Sequence, residues 1–236
     1  TLFPYTTLFR SVVFFTSYMK RYLPAMEQAR QLMPQLGRII TSYFRAHQPW
    51  GDVWRPGAFP PGEDGMSWPV RLYGGGALVC AGSHTFDLVG YFLGRPRKLW
   101  AQLTRFPDTD ADVQASVLLE TENGPAFYEA LAHPLRRVGF LRDGWDETLE
   151  ITGTEGRLNV YVSKWDEPEV KTALLTHYDN RTGQLTEYRY EVVSPFVRAV
   201  EHFCHQIEKG EQGPQPITTG YDVDELIAHT YRSAER

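Results

Sequence analysis

His84 and Asp87 stand three positions apart, the spacing that brings two side chains onto one face of a helix. An imidazole and a carboxylate placed that way can take a proton from a substrate hydroxyl and hold the substrate while it leaves. They follow Gly74, Gly75 and Gly76, a run whose backbone can take angles and close approaches that a Cβ forbids. Ser83 reads as the N-cap of the helix, and Phe86, Val89, Tyr91, Phe92 and Leu93 give it a wide apolar side. In that frame both groups sit at the positive end of the helix. That end favours a neutral imidazole, the form a general base needs. Cys80 occupies the place, four residues before the histidine, from which a third group would orient the ring. A thiol bonds weakly and carries little charge near neutral pH, so Cys80 reads better as a small buried residue than as a reactive one. For His84 the plainer alternative is a capping histidine that only orders a turn. For Asp87, a substrate contact and a simple pairing with the helix dipole are equally open.

Trp54 and Arg55 lie in a Pro-, Gly- and Trp-rich stretch, residues 48–69, too long for a plain connection and therefore a candidate binding loop. Arg55 can hold a sugar hydroxyl or an acidic group, and a tryptophan such as Trp54 can stack on a sugar ring. A loop pinned by aromatic anchors is an equally good account. The remaining histidines, His47, His133, His177, His202, His205 and His229, show no metal-ligand pattern. His202 and His205 are three apart without a third ligand, which suits a solvated helix face, and no metal is expected.

Taken together, Gly74, Gly75, Gly76, Cys80, His84 and Asp87 resemble the core motif of the Gfo/Idh/MocA family of nicotinamide-dependent oxidoreductases. The family pattern has three glycines, a few apolar residues, an aspartate, then the histidine and a second aspartate; Cys80 stands where the family often has the first aspartate. The resemblance implies that His84 is the general base, or hydrogen-bond partner, for a substrate hydroxyl while hydride passes from carbon to NAD or NADP. It implies that Asp87 contacts substrate and that the substrate is a secondary alcohol of a sugar, inositol or another cyclitol, or a related compound. The run Lys20, Arg21, Tyr22, Leu23, Pro24 resembles the junction at which the family's Rossmann domain closes. Arg21 there is expected to be an ion-pair or cofactor-edge residue. No GxGxxG occurs, nor the Glu-Lys-Pro segment that carries the family's catalytic lysine. The resemblance therefore implies an N-terminally truncated chain that binds dinucleotide poorly and is inactive alone.

Residues 1–11 read like one frame of a translated DNA sequencing adapter and are set aside as a scar. An apolar run at 12–15 suggests a buried strand, and a helix opens at Pro24 and ends at Gly37. Strand runs then follow at 39–46, 99–106, 113–121, 126–132, 148–152, 158–163, 170–178 and 185–193. Turn signals at Asn123, Gly124 and at Gly153, Gly156 point to antiparallel pairing. Two amphipathic helices close the chain, one on Phe196, Val200, Phe203 and Ile207, the other on Val223, Leu226, Ile227 and Tyr231. The expected fold class is α+β, a large, mostly antiparallel sheet with helices on one face. Its division would be 1–11, scar; 12–37, a remnant strand and helix of the nucleotide-binding domain; and 38–236, a substrate-binding and oligomerising domain. The resemblance adds that the open sheet face pairs with another subunit in a homo-oligomer.

A net charge of -5 with no basic cluster argues against nucleic acid as a partner. No apolar run is long enough for a bilayer-spanning helix, so no membrane partner is expected. The two cysteines make no disulfide framework, which points to a reducing cytoplasm. Besides a dehydrogenase, two alternatives stand: an NAD-dependent glycoside hydrolase of the same family, and a non-catalytic binding or assembly module, which Cys80 favours.

Overall fold

The computed structural model describes residues 12–162 and 173–235. Its centre is one eight-stranded sheet in the order β2-β3-β4-β1-β5-β6-β7-β8. The strands are β1 (Ile39–Pro49), β2 (Pro96–Arg105), β3 (Asp112–Thr121), β4 (Gly124–His133), β5 (Asp146–Gly153), β6 (Gly156–Val162), β7 (Leu174–Asp179) and β8 (Gln184–Arg189). Every neighbouring pair is antiparallel except β1 and β4, which run parallel because the chain crosses over between them. The expected runs are all found, with shifted ends: the last stops at Arg189 rather than 193, while 163 and 170–172 lie outside the described residues. Tight turns at the expected glycines join β3 to β4 and β5 to β6, where alternating apolar residues leave one register that buries a continuous face.

That face carries Phe44, Val117, Tyr128, Leu149, Ile151, Leu158 and Val160. It packs against α1 (Pro24–Leu32), α3 (Ser83–Leu93) and α5 (Ile217–Ala234) through Met26, Ala29, Phe86, Val89, Phe92, Val223 and Ile227. The rings of Phe86 and Tyr128 stack at 4.3 Å. A short α2 (Trp68–Tyr73) follows the long loop, and α4 (Pro195–Lys209) opens with Ser194 as N-cap. The opposite sheet face stays open, with Tyr43, Trp100, Leu118 and Phe127 exposed on it.

Two expectations are corrected. Residues 13–18 form no strand. A strand needs a neighbour for its backbone groups. Here the Phe14 N–H donates to Gln212 Oε1 at 3.1 Å and the Thr16 N–H to the Gln215 carbonyl at 2.9 Å. A 3-10 turn, Met19–Tyr22, then leads into α1, whose proline sits in the first turn as expected. Ser83 is no N-cap either. A π-helical turn, Leu78–Gly82, runs into α3 without a break, with Gly82 and Ser83 both in right-handed helical geometry.

Candidate functional site

The glycine run turns the chain between α2 and the π-helical turn, and each glycine answers a different demand. Gly74 has φ +78 and closes α2 by donating to the Val70 carbonyl at 2.8 Å. A Cβ on Gly75 would crowd the Val79 side chain, and one on Gly76 would overlap the backbone of Asp112 in β3. That close approach lets Asp112 Oδ2 accept the Leu78 N–H at 2.7 Å, so a neighbouring strand caps the helical segment. Asp112 Oδ1 accepts the Tyr231 hydroxyl at 2.6 Å, which ties the last helix to the same point.

His84 consequently lies well inside the helical segment rather than at its positive end. Its ring meets Tyr18 edge-on at 5.4 Å, and its Nδ1 is buried with no hydrogen-bond partner among the described residues. The imidazole is neutral, as expected, but for another reason: burial first, and the Lys20 charge second, push its pKa down to about 3. Burial pushes the Cys80 thiol up to about 11, against the opposing pull of Lys20. It remains a thiol at neutral pH.

Lys20 is 1% exposed, and its Nζ pairs with Glu147 Oε2 of β5 at 2.6 Å. Glu147 Oε1 accepts from Gln48 Nε2 at 2.7 Å, and Gln48 Oε1 accepts from Trp50 Nε1 at 3.3 Å. This buried chain of groups connects the turn before α1, the sheet and the aromatic loop. Sequence reading missed it. The available signal was a lysine inside the apolar run Tyr18, Met19, Tyr22, Leu23; nothing local pointed to Glu147 or Gln48.

Arg21 and Asp87 meet. Arg21 Nε and Nη2 donate to the two Asp87 oxygens at 2.7 and 2.5 Å, and the guanidinium lies 4.9 Å from the centre of the Tyr91 ring. Burial pushes the Asp87 carboxyl up to about 6, with Arg21 pulling the other way. Both carboxylate oxygens accept from Arg21, and Asp87 also lines an open cleft. Arg21 forms an ion pair, one of the two roles expected of it. A cleft of about 430 Å³ opens beside this pair, walled by Arg95, Lys98, Asp222, Glu225 and His229.

The loop residues stand apart from this arrangement. Trp54 Nε1 donates to the Ala132 carbonyl at 2.9 Å, pinning the loop to the end of β4. Arg55 is exposed, 3.5 Å from Asp52. Trp54 thus serves as an anchor of the loop. Among the described residues no helix is long and apolar enough to cross a membrane, and no group of three His, Cys, Asp or Glu is placed to hold a metal.

A family model for the GFO/IDH/MocA C-terminal domain matches residues 26–159, more than half of the 236. The chain belongs to the GFO/IDH/MocA family. Solved structures agree with that fold. A levoglucosan dehydrogenase in complex with NADH and levoglucosan superposes with a TM-score of 0.75 at 17% identity, over 96% of this chain and 65% of that one. An aldose-aldose oxidoreductase from Caulobacter crescentus, complexed with glycerol, gives 0.71 at 15% identity over 94% and 61%. A 3-ketoreductase from Actinomadura kijaniata, with TDP-benzene and NADP, gives 0.68 at 17% over 95% and 62%. The chain thus spans about 65% of the length of the levoglucosan dehydrogenase. No curated protein matches it in sequence.

Proposed function

We propose that this GFO/IDH/MocA chain is the substrate side of an NAD(P)-dependent oxidoreductase acting on a secondary alcohol of a sugar or related polyol, with His84 accepting the hydroxyl proton. The similar levoglucosan dehydrogenase, in complex with NADH and levoglucosan, and the similar aldose-aldose oxidoreductase support the substrate class. The observation that carries the reading is the buried, uncharged His84 imidazole whose Nδ1 has no hydrogen-bond partner among the described residues. A buried ring nitrogen left without a bond is costly unless a ligand satisfies it.

The described residues do not fit the dinucleotide's phosphates. The one glycine run opens a helical segment already capped by the Asp112 carboxylate, which would repel a pyrophosphate there. The nicotinamide supplies the hydride acceptor in such a reaction, held by residues other than these. This chain's own share is to seat the alcohol, accept its proton at His84 and keep water away through Tyr18 and the apolar side of α3.

In the full-length protein, His84→Ala is expected to lower kcat/KM by about a hundredfold or more, the usual worth of general acid-base catalysis. Steady-state assay with sugar alcohols and either nicotinamide decides it, and unchanged activity removes His84 from this role. Cys80 favours a second reading, a binding module without turnover, because a neutral thiol stands four residues before the imidazole where the family often has a carboxylate. Absence of turnover in both proteins would support that one. The open sheet face, covered by a second copy, makes the protein a homo-oligomer. A cytoplasmic location suits its two unpaired cysteines.

A further inference from the structure

A base that takes a proton must hold its ring at a fixed angle to the substrate hydroxyl, and an imidazole usually has that angle set by a hydrogen bond at its other nitrogen. His84 lacks such a bond. Among the described residues its Nδ1 is buried without a hydrogen-bond partner, and the Cys80 thiol stands four residues before it. Rotation about the last side-chain bond of histidine is broad, so the helix places the ring without fixing its plane. Packing is what remains to hold it.

Tyr18 makes that contact. The two rings lie 5.4 Å apart, centre to centre, at 85°, the edge-on arrangement that the charge distribution of aromatic rings favours. Tyr18 is 9% exposed and belongs to the main core, and its backbone is held on both sides. Its N–H donates to the Thr16 carbonyl at 2.8 Å, and its carbonyl accepts from Gln215 Nε2 at 3.1 Å. Gln215 is fully buried in the link between α4 and α5, and its main-chain carbonyl accepts the Thr16 N–H at 2.9 Å. The Thr16 hydroxyl donates to the Pro216 carbonyl, also at 2.9 Å. A ring carried on a backbone pinned this way has little room to drift from the imidazole it faces.

We propose that Tyr18 is a positioning residue for His84: its ring, set edge-on against the imidazole and anchored through Gln215, fixes the ring plane that a carboxylate in place of Cys80 would otherwise fix. This rests on the proton-accepting role of His84 read above. The tyrosine hydroxyl has no part in it, so a phenylalanine serves as well. A carboxylate restored in place of Cys80 makes the aromatic ring dispensable.

The first readout is ring mobility in this chain, followed by ¹³C relaxation at His84 Cδ2, with the signal assigned by its loss in His84→Gln. The parent and Tyr18→Phe rings are expected to be rigid, with order parameters of about 0.85, and the Tyr18→Leu ring mobile, below about 0.6. The second readout is rate. In the full-length protein Tyr18→Leu should lower kcat by about tenfold or more and move KM by less than about threefold, because the base is misaimed while the binding surface stays. Tyr18→Phe should keep kcat within about twofold of the parent. In a Cys80→Asp background Tyr18→Leu should cost less than about threefold in kcat, a rescue that a mere loss of core packing would not allow. Tyr18→Met, with its unbranched and adaptable side chain, replaces Tyr18→Leu if the latter does not fold. A His84 ring that stays rigid without its aromatic neighbour overturns the proposal, as do equal kcat losses from Tyr18→Leu with and without Cys80→Asp. If His84→Ala leaves full-length activity intact while Tyr18→Leu still frees the ring, the proton-accepting reading fails and the positioning one stands.

Discussion

Keeping an imidazole uncharged inside a protein ties its titration to folding. His84 has a folded pKa of about 3 against an ordinary 6.5, so the unfolded chain binds one more proton between those values. Stability contributed by the buried neutral ring is complete above pH 6.5 and is lost as the pH falls towards 3. His84→Gln, uncharged throughout, removes that dependence. The free-energy difference between parent and variant should therefore change by about 1.4 kcal/mol per pH unit between pH 4 and 6, the parent losing ground in acid. Asp87, pushed up to about 6, acts with the opposite sign in part of this window, but it is present in both proteins and cancels in the difference. Urea unfolding at several pH values measures the effect. Parallel pH profiles would mean that the ring is solvated and titrates normally in the folded state. At this scale the sequence carried half the information. The histidine and its neutrality were legible, but the cause was not, because burial and Lys20 come from segments distant in the chain. The pairing of Asp87 with Arg21 was not legible, because the arginine lies 66 residues away.

The glycine run and the strand it touches set where α3 begins, and the three glycines should not be equally replaceable. Gly74 needs its left-handed φ of +78 but has open space around it, so Gly74→Ala should cost about 1 kcal/mol from backbone strain alone. At Gly76 an added methyl overlaps the Asp112 backbone, a contact no side-chain rotation relieves. Gly76→Ala should cost about 3 kcal/mol or more and displace the Leu78 cap, as overpacking against a rigid neighbour does. Equal destabilisation of the two variants in chemical denaturation would show that the approach to β3 is not what the third glycine serves. Elements of this kind were readable to different depths. The strands were legible from β1 to β8 because alternation of apolar and polar residues is a local property of each strand. The start of α3 was misplaced at Ser83, since the residue that caps the helical segment is Asp112, in another element. The apolar run at 12–15 carried a strand pattern without the neighbour that would make it one. Its backbone bonds go instead to Gln212 and Gln215, in the link between α4 and α5.

Across the whole molecule the sheet divides two environments. One face is sealed by helices and holds His84, Lys20 and Asp112 near it. The other carries Tyr43, Trp100, Leu118 and Phe127 at 37 to 54% exposure, with Tyr43 and Phe127 stacked at 5.1 Å across the β1–β4 pair. Phe140 and Tyr161 stack nearby at 5.3 Å, and the whole surrounds a groove of about 1150 Å³. An apolar surface this broad on a sheet is costly to leave in water, which is the ground for the proposed pairing of open faces. Its polar border holds both signs, Arg45 with Glu129 and Asp146, so the face can meet a copy of itself about a two-fold axis without like charges opposing. Changing Tyr43 and Phe127 together to glutamate puts four carboxylates at the centre of such a two-fold contact and should leave a folded monomer. Both side chains point away from the core, so circular dichroism should be unaltered while sedimentation velocity at micromolar concentration shifts from dimer or larger to monomer. A parent chain that already sediments as a monomer under those conditions would defeat the pairing of open faces. A variant that still assembles would move the contact to another surface. Assembly through this face would bring no second subunit against the helices that cover the other side of the sheet, so each subunit would carry its own His84 site independently of its partner.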